Sequence, residues 1–163
     1  MKALFILPFT LLLIIGSSCA IVTKKEPIAF KIYSQEDKRI MKVKRSGVLT
    51  VSGEKLGILR PDGVLTNLEN DTLAYQDANG VVYSREHTTL GKVDEHGAIE
   101  MVHGDQFSWT ADGKLQLKGD QSIRVEPNFK NYYDKASFLF IVYASIASAG
   151  GDSEIQIEGA EYE

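Results

Sequence analysis

The chain has 163 residues, a formal net charge of −4 at neutral pH and one cysteine, Cys19. The single cysteine excludes an internal disulfide, and the acidic balance argues against nucleic-acid binding. The length is that of one domain, which can bury a modest core without disulfide or metal staples.

The N-terminus is strongly apolar. After Met1-Lys2, the segment Ala3–Val22 carries no charge. Its core, Ala3–Ile15, is 13 residues long, which is short for a spanning helix and typical of the apolar region of a signal peptide. The small residues Gly16-Ser17-Ser18 and then Cys19 follow directly.

The segment Gly16-Ser17-Ser18-Cys19 resembles the lipobox of bacterial lipoproteins, in which small residues precede a cysteine that is diacylated and becomes the first residue. Ser17, Ser18 and Cys19 fit that pattern, and Gly16 stands where leucine is usual. The resemblance implies a signal peptide at 1–18 and a palmitate-bearing lipid anchor at Cys19. Ala20, where inner-membrane lipoproteins tend to have aspartate, implies the outer membrane of the cell envelope.

Two other interpretations of this segment stay open. Ser18-Cys19-Ala20 also fits an ordinary cleavage site, which would give a soluble secreted protein. Alternatively, Ala3–Val22 stays uncleaved as an anchor, since these 20 uncharged residues can just span a bilayer. Lysines on both sides leave the orientation of such an anchor open.

Residues 19–46 are predicted to form a basic linker and a first hairpin. Residues 24–45 contain eight basic and three acidic side chains, a net charge of +5. We expect Phe30 and Ile32 to pair with Ile40 and Val43. The positive charge also fits a segment that rests on anionic lipid head groups.

An internal repeat occupies residues 47–128. Its glycines, spaced 16 or 17 residues apart, are Gly47, Gly63, Gly80, Gly97 and Gly113. Each unit holds two short runs that alternate between apolar and polar residues, which indicates strands. Asp-Gly or Asn-Gly pairs between most units favour tight turns. The fold is therefore predicted to be mainly β: an antiparallel up-and-down meander of about ten short strands built from five repeats.

The two faces of this sheet differ in the sequence. The predicted core face carries Leu49, Leu65, Val82, Ile99 and Leu115 from the first strands, and Leu56, Ile58, Leu73, Tyr75, Leu90, Phe107, Trp109, Ile123 and Val125 from the second. A column of mostly small residues is predicted to point the other way, towards solvent: Gly57, Ala74, Gly91, Ser108 and Arg124. The alternative is a flat surface that admits the close approach of a partner.

A sheet with one apolar face must curl into a barrel or be covered by another element. A solenoid also fits the period, but the turns favour hairpins. Residues 129–151 supply the cover, an apolar helix over Ala136–Ala149 with Asp134 as N-cap and Gly150-Gly151 as C-cap. Membrane insertion or helix association is the alternative use of this helix. An acidic tail, 152–163, follows.

Sequence motifs for catalysis are missing. His87, His96 and His103 lack the spacing of a zinc site, and turn formation accounts for Asp62, Asp77, Asp94 and Asp112 without calcium. We therefore expect no catalytic residues, no metal and no cofactor. The predicted function is a non-catalytic binding or structural role at the cell envelope, with the membrane and an envelope protein as partners. The alternatives are an envelope enzyme or enzyme inhibitor, and a secreted protein that acts on membranes through residues 136–149.

Overall fold

The computed structural model describes residues 29–149. The predicted signal peptide, Cys19 and the acidic tail lie outside these residues. The described chain forms an antiparallel sheet of twelve strands and one C-terminal helix, which confirms the predicted fold class. The strands are Phe30–Ser34 (β1), Arg39–Val43 (β2), Val48–Val51 (β3), Glu54–Leu59 (β4), Val64–Thr66 (β5), Thr72–Gln76 (β6), Val81–Ser84 (β7), Thr89–Val93 (β8), Ile99–Met101 (β9), Gln106–Phe107 (β10), Lys114–Gln116 (β11) and Ser122–Glu126 (β12). A 3₁₀ turn, Lys130–Tyr132, leads into the helix, Tyr133–Ala149 (α1).

The turn between β6 and β7 shows why the glycines repeat. The amide of Gly80 donates to the carbonyl of Asp77, and Gly80 has a φ of +81°, which costs glycine least. The Asp77 carboxylate accepts the amides of Asn79 and Val81, each at 2.9 Å. The loops that end in the other four repeat glycines close with the same backbone bond.

The sheet curls into a nearly closed ring. Each strand from β1 to β10 pairs with its neighbour in sequence, as a meander requires, and β12 returns to pair with β1. The last gap lies between β10 and β11, where Trp109 and Leu115 form a single bridge. The predicted first hairpin is present, with Phe30 opposite Val43, but Ile32 lies opposite Met41 and not beside Ile40 as predicted, since the register shifts after Ile32.

Helix α1 lies inside this ring. Every residue from Ala136 to Val142 is buried, on all sides of the helix. The predicted cover is therefore enclosed by the sheet, which contributes inward residues such as Leu49, Leu65 and Val82 to the same core. The helix begins one residue before Asp134, so that carboxylate is in the first turn and is not the N-cap.

The predicted faces of β4, β6 and β8 are wrong in part. Leu56, Ile58 and Tyr75 do not belong to the core, whereas Leu73 and Leu90 pack against it, as predicted. Gly57, Ala74 and Gly91 are buried, and they pair directly with inward residues of β3, β5 and β7. A bulge in each hairpin adds one residue, and a shift of one residue reverses the faces of a strand. Ile58 and Tyr75 therefore lie on the outer face, where Ile58 is opposite Val48 and Tyr75 is opposite Tyr83.

Gly91 makes room for the helix. A methyl group on Gly91 would lie 3.3 Å from Cδ1 of Ile141 and 2.8 Å from the carbonyl oxygen of Glu100. At Gly91 the element that approaches is the protein's own helix and not a partner, whereas a methyl group on Gly57 would meet the carbonyl oxygen of Thr66 in the neighbouring strand. In the last two units Phe107, Ile123 and Val125 belong to or pack against the core, as predicted.

Candidate functional site

The predicted lipidation site, Cys19, lies outside the described residues. The folded body begins at Phe30, eleven residues further along the chain. A fully extended chain of that length spans at most about 40 Å. A lipid on Cys19 would therefore keep the β1 end of the ring near the membrane.

The ring has two distinct ends. The loops that end in the repeat glycines lie at one end, which we call the glycine end, and the chain enters β1 there. Helix α1 begins at this end, where the Ser137 hydroxyl donates to the carbonyl of Gly97. The turns within the repeat units lie at the other end. Because the helix fills the space between the ends, contacts with other molecules must use the outer surface or the loops.

An open groove of about 800 Å³ at the glycine end is lined by several carboxylates. Asp77 and Asp94 each accept two backbone amides of their own turns. Asp134 accepts the side-chain amide of Gln76 at 2.9 Å and contacts Lys135 at 3.2 Å. These carboxylates therefore build turns and hold the helix in place, which is the role that the sequence predicted for Asp77 and Asp94.

The three histidines occupy different turns. His87 and His96 follow β7 and β8, at opposite ends of the ring, and His103 follows β9. Among residues 29–149, no three histidine, cysteine or acidic side chains converge as a metal site would require. His87 has a φ of +63°, so it takes the left-handed position of its turn.

An aromatic cluster on the outer face, formed by Tyr75, Tyr83 and His87, was missed in the sequence. The rings of Tyr75 and Tyr83 stack with centroids 5.1 Å apart. The Tyr75 hydroxyl and Nδ1 of His87 are 2.8 Å apart, in hydrogen-bonding contact. Tyr75 had been assigned to the core because the bulge before it is not visible in the sequence.

A second surface feature is a set of basic side chains at the glycine end, Lys31, Lys42, Lys44 and Arg45, which we call the basic face. Lys31 on β1 lies directly opposite Lys42 on β2. Lys44 and Arg45 follow in the next turn, and all four residues line one shallow groove. None of the four forms an ion pair with another residue of the described chain.

Arg124 ties the first hairpin to the last strand. Its guanidinium contacts Asp37 and Glu126, each at 2.9 Å, and lies 4.3 Å from the ring centre of Tyr33. The hydrogen bonds from Arg124 and Tyr33 lower the pKa of Glu126, and the positive charge of Lys31 also contributes. This network accounts for Arg124 at a position where earlier repeat units have a small residue.

The charge of the described chain is unevenly distributed along the sequence. Residues 29–45 carry six basic and two acidic side chains, whereas residues 46–149 carry nine basic and fourteen acidic ones. In the folded ring, the basic and acidic parts of the sequence lie in different places. The basic β1–β2 hairpin lies on one side, and the acidic groove of the β6–β9 turns lies across the glycine end from it.

Comparison with known proteins finds no protein that resembles this one. The chain matches no protein-family model, no curated protein and no solved structure. Within residues 29–149, no helix has the length and apolar character needed to cross a bilayer.

Proposed function

We propose that the protein is a bacterial cell-envelope lipoprotein, anchored through a diacylated Cys19, that acts by binding rather than by catalysis. The observation that carries the proposal is the position of Cys19. The only cysteine of the chain stands directly after an apolar run and three small residues, where lipoprotein processing requires a cysteine. Ala20 favours the outer membrane as its destination.

The folded body supports a binding role on its outer surface. Helix α1 fills the interior of the ring, and the grooves at the glycine end are open to solvent. Asp77 and Asp94, which line the acidic groove, each accept backbone amides of their own turns. The stacked pair Tyr75–Tyr83, with the apolar outer residue Val64 opposite Tyr75, is the surface that we assign to an envelope protein partner.

A membrane-active role for residues 136–149 fits the geometry less well. The residues that would have to enter the bilayer, from Ala136 to Val142, are buried within the sheet. Insertion would require the helix to leave the ring and would expose inward side chains such as Leu65 and Val82 to water. The free energy of folding therefore opposes this use of the helix.

Fatty-acid labelling of the full-length protein in cells tests the anchor. We expect palmitate label on the wild type and on Ser17→Ala, and no label on Cys19→Ser. An unlabelled wild type would remove the anchor proposal. Fractionation would then separate the two alternatives, since a secreted protein is found in the medium and a protein that retains Ala3–Val22 stays in the membrane.

Cross-linking tests the binding surface. A photoreactive residue at position 83 should yield a discrete adduct in intact envelopes, whereas the same residue at position 100, on the outer face of β9, serves as the control. Equal adducts at both positions, or none at position 83, would contradict the assignment of the partner surface to the Tyr75–Tyr83 pair.

A further inference from the structure

Four of the eight basic side chains in residues 29–149 that form no ion pair lie together beside the point where the chain enters the fold. Most other basic side chains of residues 29–149 are paired with a carboxylate, as Arg60, Lys118 and Arg124 are. The four residues of the basic face are not. They line a groove with Ala29, the first described residue on the side of Cys19.

The Lys31–Lys42 pair needs an explanation outside the fold. Like charges directly opposite each other on neighbouring strands destabilise a sheet. Both side chains belong to the outer face, since Phe30, Ile32, Met41 and Val43 on either side of them are buried. Lys31 has Glu126 opposite it on β12, but that carboxylate is already bound by Arg124. The repulsion is relieved if an external anionic surface covers both ammonium groups.

An exposed aromatic ring lies beside the same groove. Phe129 is 56% exposed, follows the groove residue Pro127 by two positions, and contacts Tyr132 with ring centroids 5.9 Å apart. Tyr132 in turn stacks on Phe30 at 5.5 Å. Aromatic rings beside cationic side chains are favoured at the boundary between lipid head groups and acyl chains.

We propose that the basic face, together with Phe129, is a docking surface for anionic phospholipid head groups, which holds the β1–β2 side of the glycine end against the membrane and leaves the acidic groove on the far side of that end away from it. The inference rests on the proposed anchoring of the chain at its N-terminus. The occupant is a lipid surface because the cations, the exposed ring and the chain leading to Cys19 meet at one place. Docking would leave the Tyr75–Tyr83 pair, several strands away around the ring, accessible from the periplasm or the medium.

Lysine footprinting of the full-length protein in vesicles tests this surface. The protein is reconstituted in phosphatidylcholine vesicles with or without phosphatidylglycerol and treated with a water-soluble amine-acylating reagent. We expect Lys31, Lys42 and Lys44 to be protected only when phosphatidylglycerol is present, and high salt to abolish the protection. Lys55, on β4 beside the turn at the opposite end of the ring, should react equally in both kinds of vesicle and is the internal control.

Matched variants separate charge from fold. Each lysine near an anionic surface should contribute roughly a fivefold factor to the docking equilibrium, so Lys31→Gln with Lys42→Gln should remove most of the protection of Lys44. Removing the same charge elsewhere, by Lys55→Gln with Lys92→Gln, two lysines that form no ion pair within residues 29–149, should leave the protection of Lys44 intact. Phe129→Ala should weaken protection, whereas Val102→Ala, at a residue with the same exposure of 56%, should not.

The outcomes distinguish this inference from the anchor itself. Protection that is absent, or equal with and without phosphatidylglycerol, would overturn the docking surface whether or not Cys19 carries palmitate. Protection that requires an envelope protein and is missing in lipid vesicles would also overturn it, in favour of an acidic protein partner. Conversely, an unlabelled Cys19 with lipid-dependent protection would refute the lipid anchor and retain the docking surface.

Discussion

The indole ring of Trp109 stacks on the phenol ring of Tyr133, with ring centroids 4.5 Å apart and planes 10° from parallel. The indole nitrogen of Trp109 donates to Ser137 and to the carbonyl of Gly97, at 2.9 and 3.1 Å. One side chain beside the seam of the ring therefore holds the first turn of α1. The contact joins the last repeat units to the element that they enclose.

Trp109→Ala should destabilise the fold by on the order of 3 kcal/mol, because it removes the ring stack and two hydrogen bonds at once. The free energy of unfolding in urea measures the loss. Leu68→Ala, at a residue that is 53% exposed, is the control and should cost less than about 0.5 kcal/mol. Equal effects of the two changes would show that Trp109 does not fasten the helix.

Gly91→Ala should cost about 1–3 kcal/mol, since the added methyl group meets the carbonyl oxygen of Glu100 and the side chain of Ile141. Thermal unfolding would report the loss. The double variant with Ile141→Val should recover part of it, because the shorter side chain gives way. An unchanged melting temperature in Gly91→Ala would mean that the helix does not need the small residue.

The error in the sequence prediction of the faces has a local cause. The hairpins β3–β4, β5–β6 and β7–β8 each contain a bulge between an inward residue and the turn. Leu56 is the extra residue in the first of them, and it is 40% exposed although its type and position suggested the core. The alternation of apolar and polar residues does not reveal where a bulge adds one residue. Beyond each bulge, the alternation therefore predicts the opposite face of the strand.

The strand number, the pairing order and the helix could be predicted because repeat spacing and turn residues are local signals. The closure of the ring could not be predicted, because the pairing of β1 with β12 joins residues that are far apart in the sequence, such as Lys31 and Glu126. The basic composition of the first hairpin was visible in the sequence. That Phe129 lies beside this hairpin could not be predicted. It follows from the pairing of β12 with β1 and from the ring contacts of Tyr132 with Phe30 and with Phe129.

The turns within the units offer a reciprocal stability test. Asp120 has a φ of +63° and Gly104 a φ of +88°, in turns that share one backbone hydrogen bond, from the amide of Leu117 to the carbonyl of Gln121 and from the amide of Met101 to the carbonyl of Asp105. Asp120→Gly should stabilise the protein by up to about 1 kcal/mol because the left-handed conformation no longer opposes a side chain. Gly104→Asp should destabilise it by a similar amount. Changes of the same sign in both melting temperatures would contradict this.

The seam between β10 and β11 should be the weakest part of the ring. The amide of Gln116 reaches the carbonyl of Ser108 only at 3.4 Å, and Lys118 contacts Asp105 at 2.7 Å across the gap. Hydrogen exchange should therefore be faster at Gln116 than at Ile32, which lies in a continuous ladder. Asp105→Asn should accelerate exchange at Gln116 and leave Ile32 unchanged. Equal protection of both amides would show that the ring is uniformly closed.

Stability should fall at alkaline pH because of Tyr133. Burial of its ring, and then the negative charge of Asp112, raise the pKa of its hydroxyl above the ordinary value of 10.0. The folded protein therefore keeps a proton that the unfolded chain releases, and stability decreases as the pH rises through about 10 towards the folded pKa. Tyr133→Phe loses the hydrogen bond to Asn128, so it should be less stable at neutral pH by about 1 kcal/mol. Its urea midpoint should then decline less steeply than that of the wild type between pH 9 and 11, a window set by that ordinary value, and parallel declines would exclude Tyr133 as the cause.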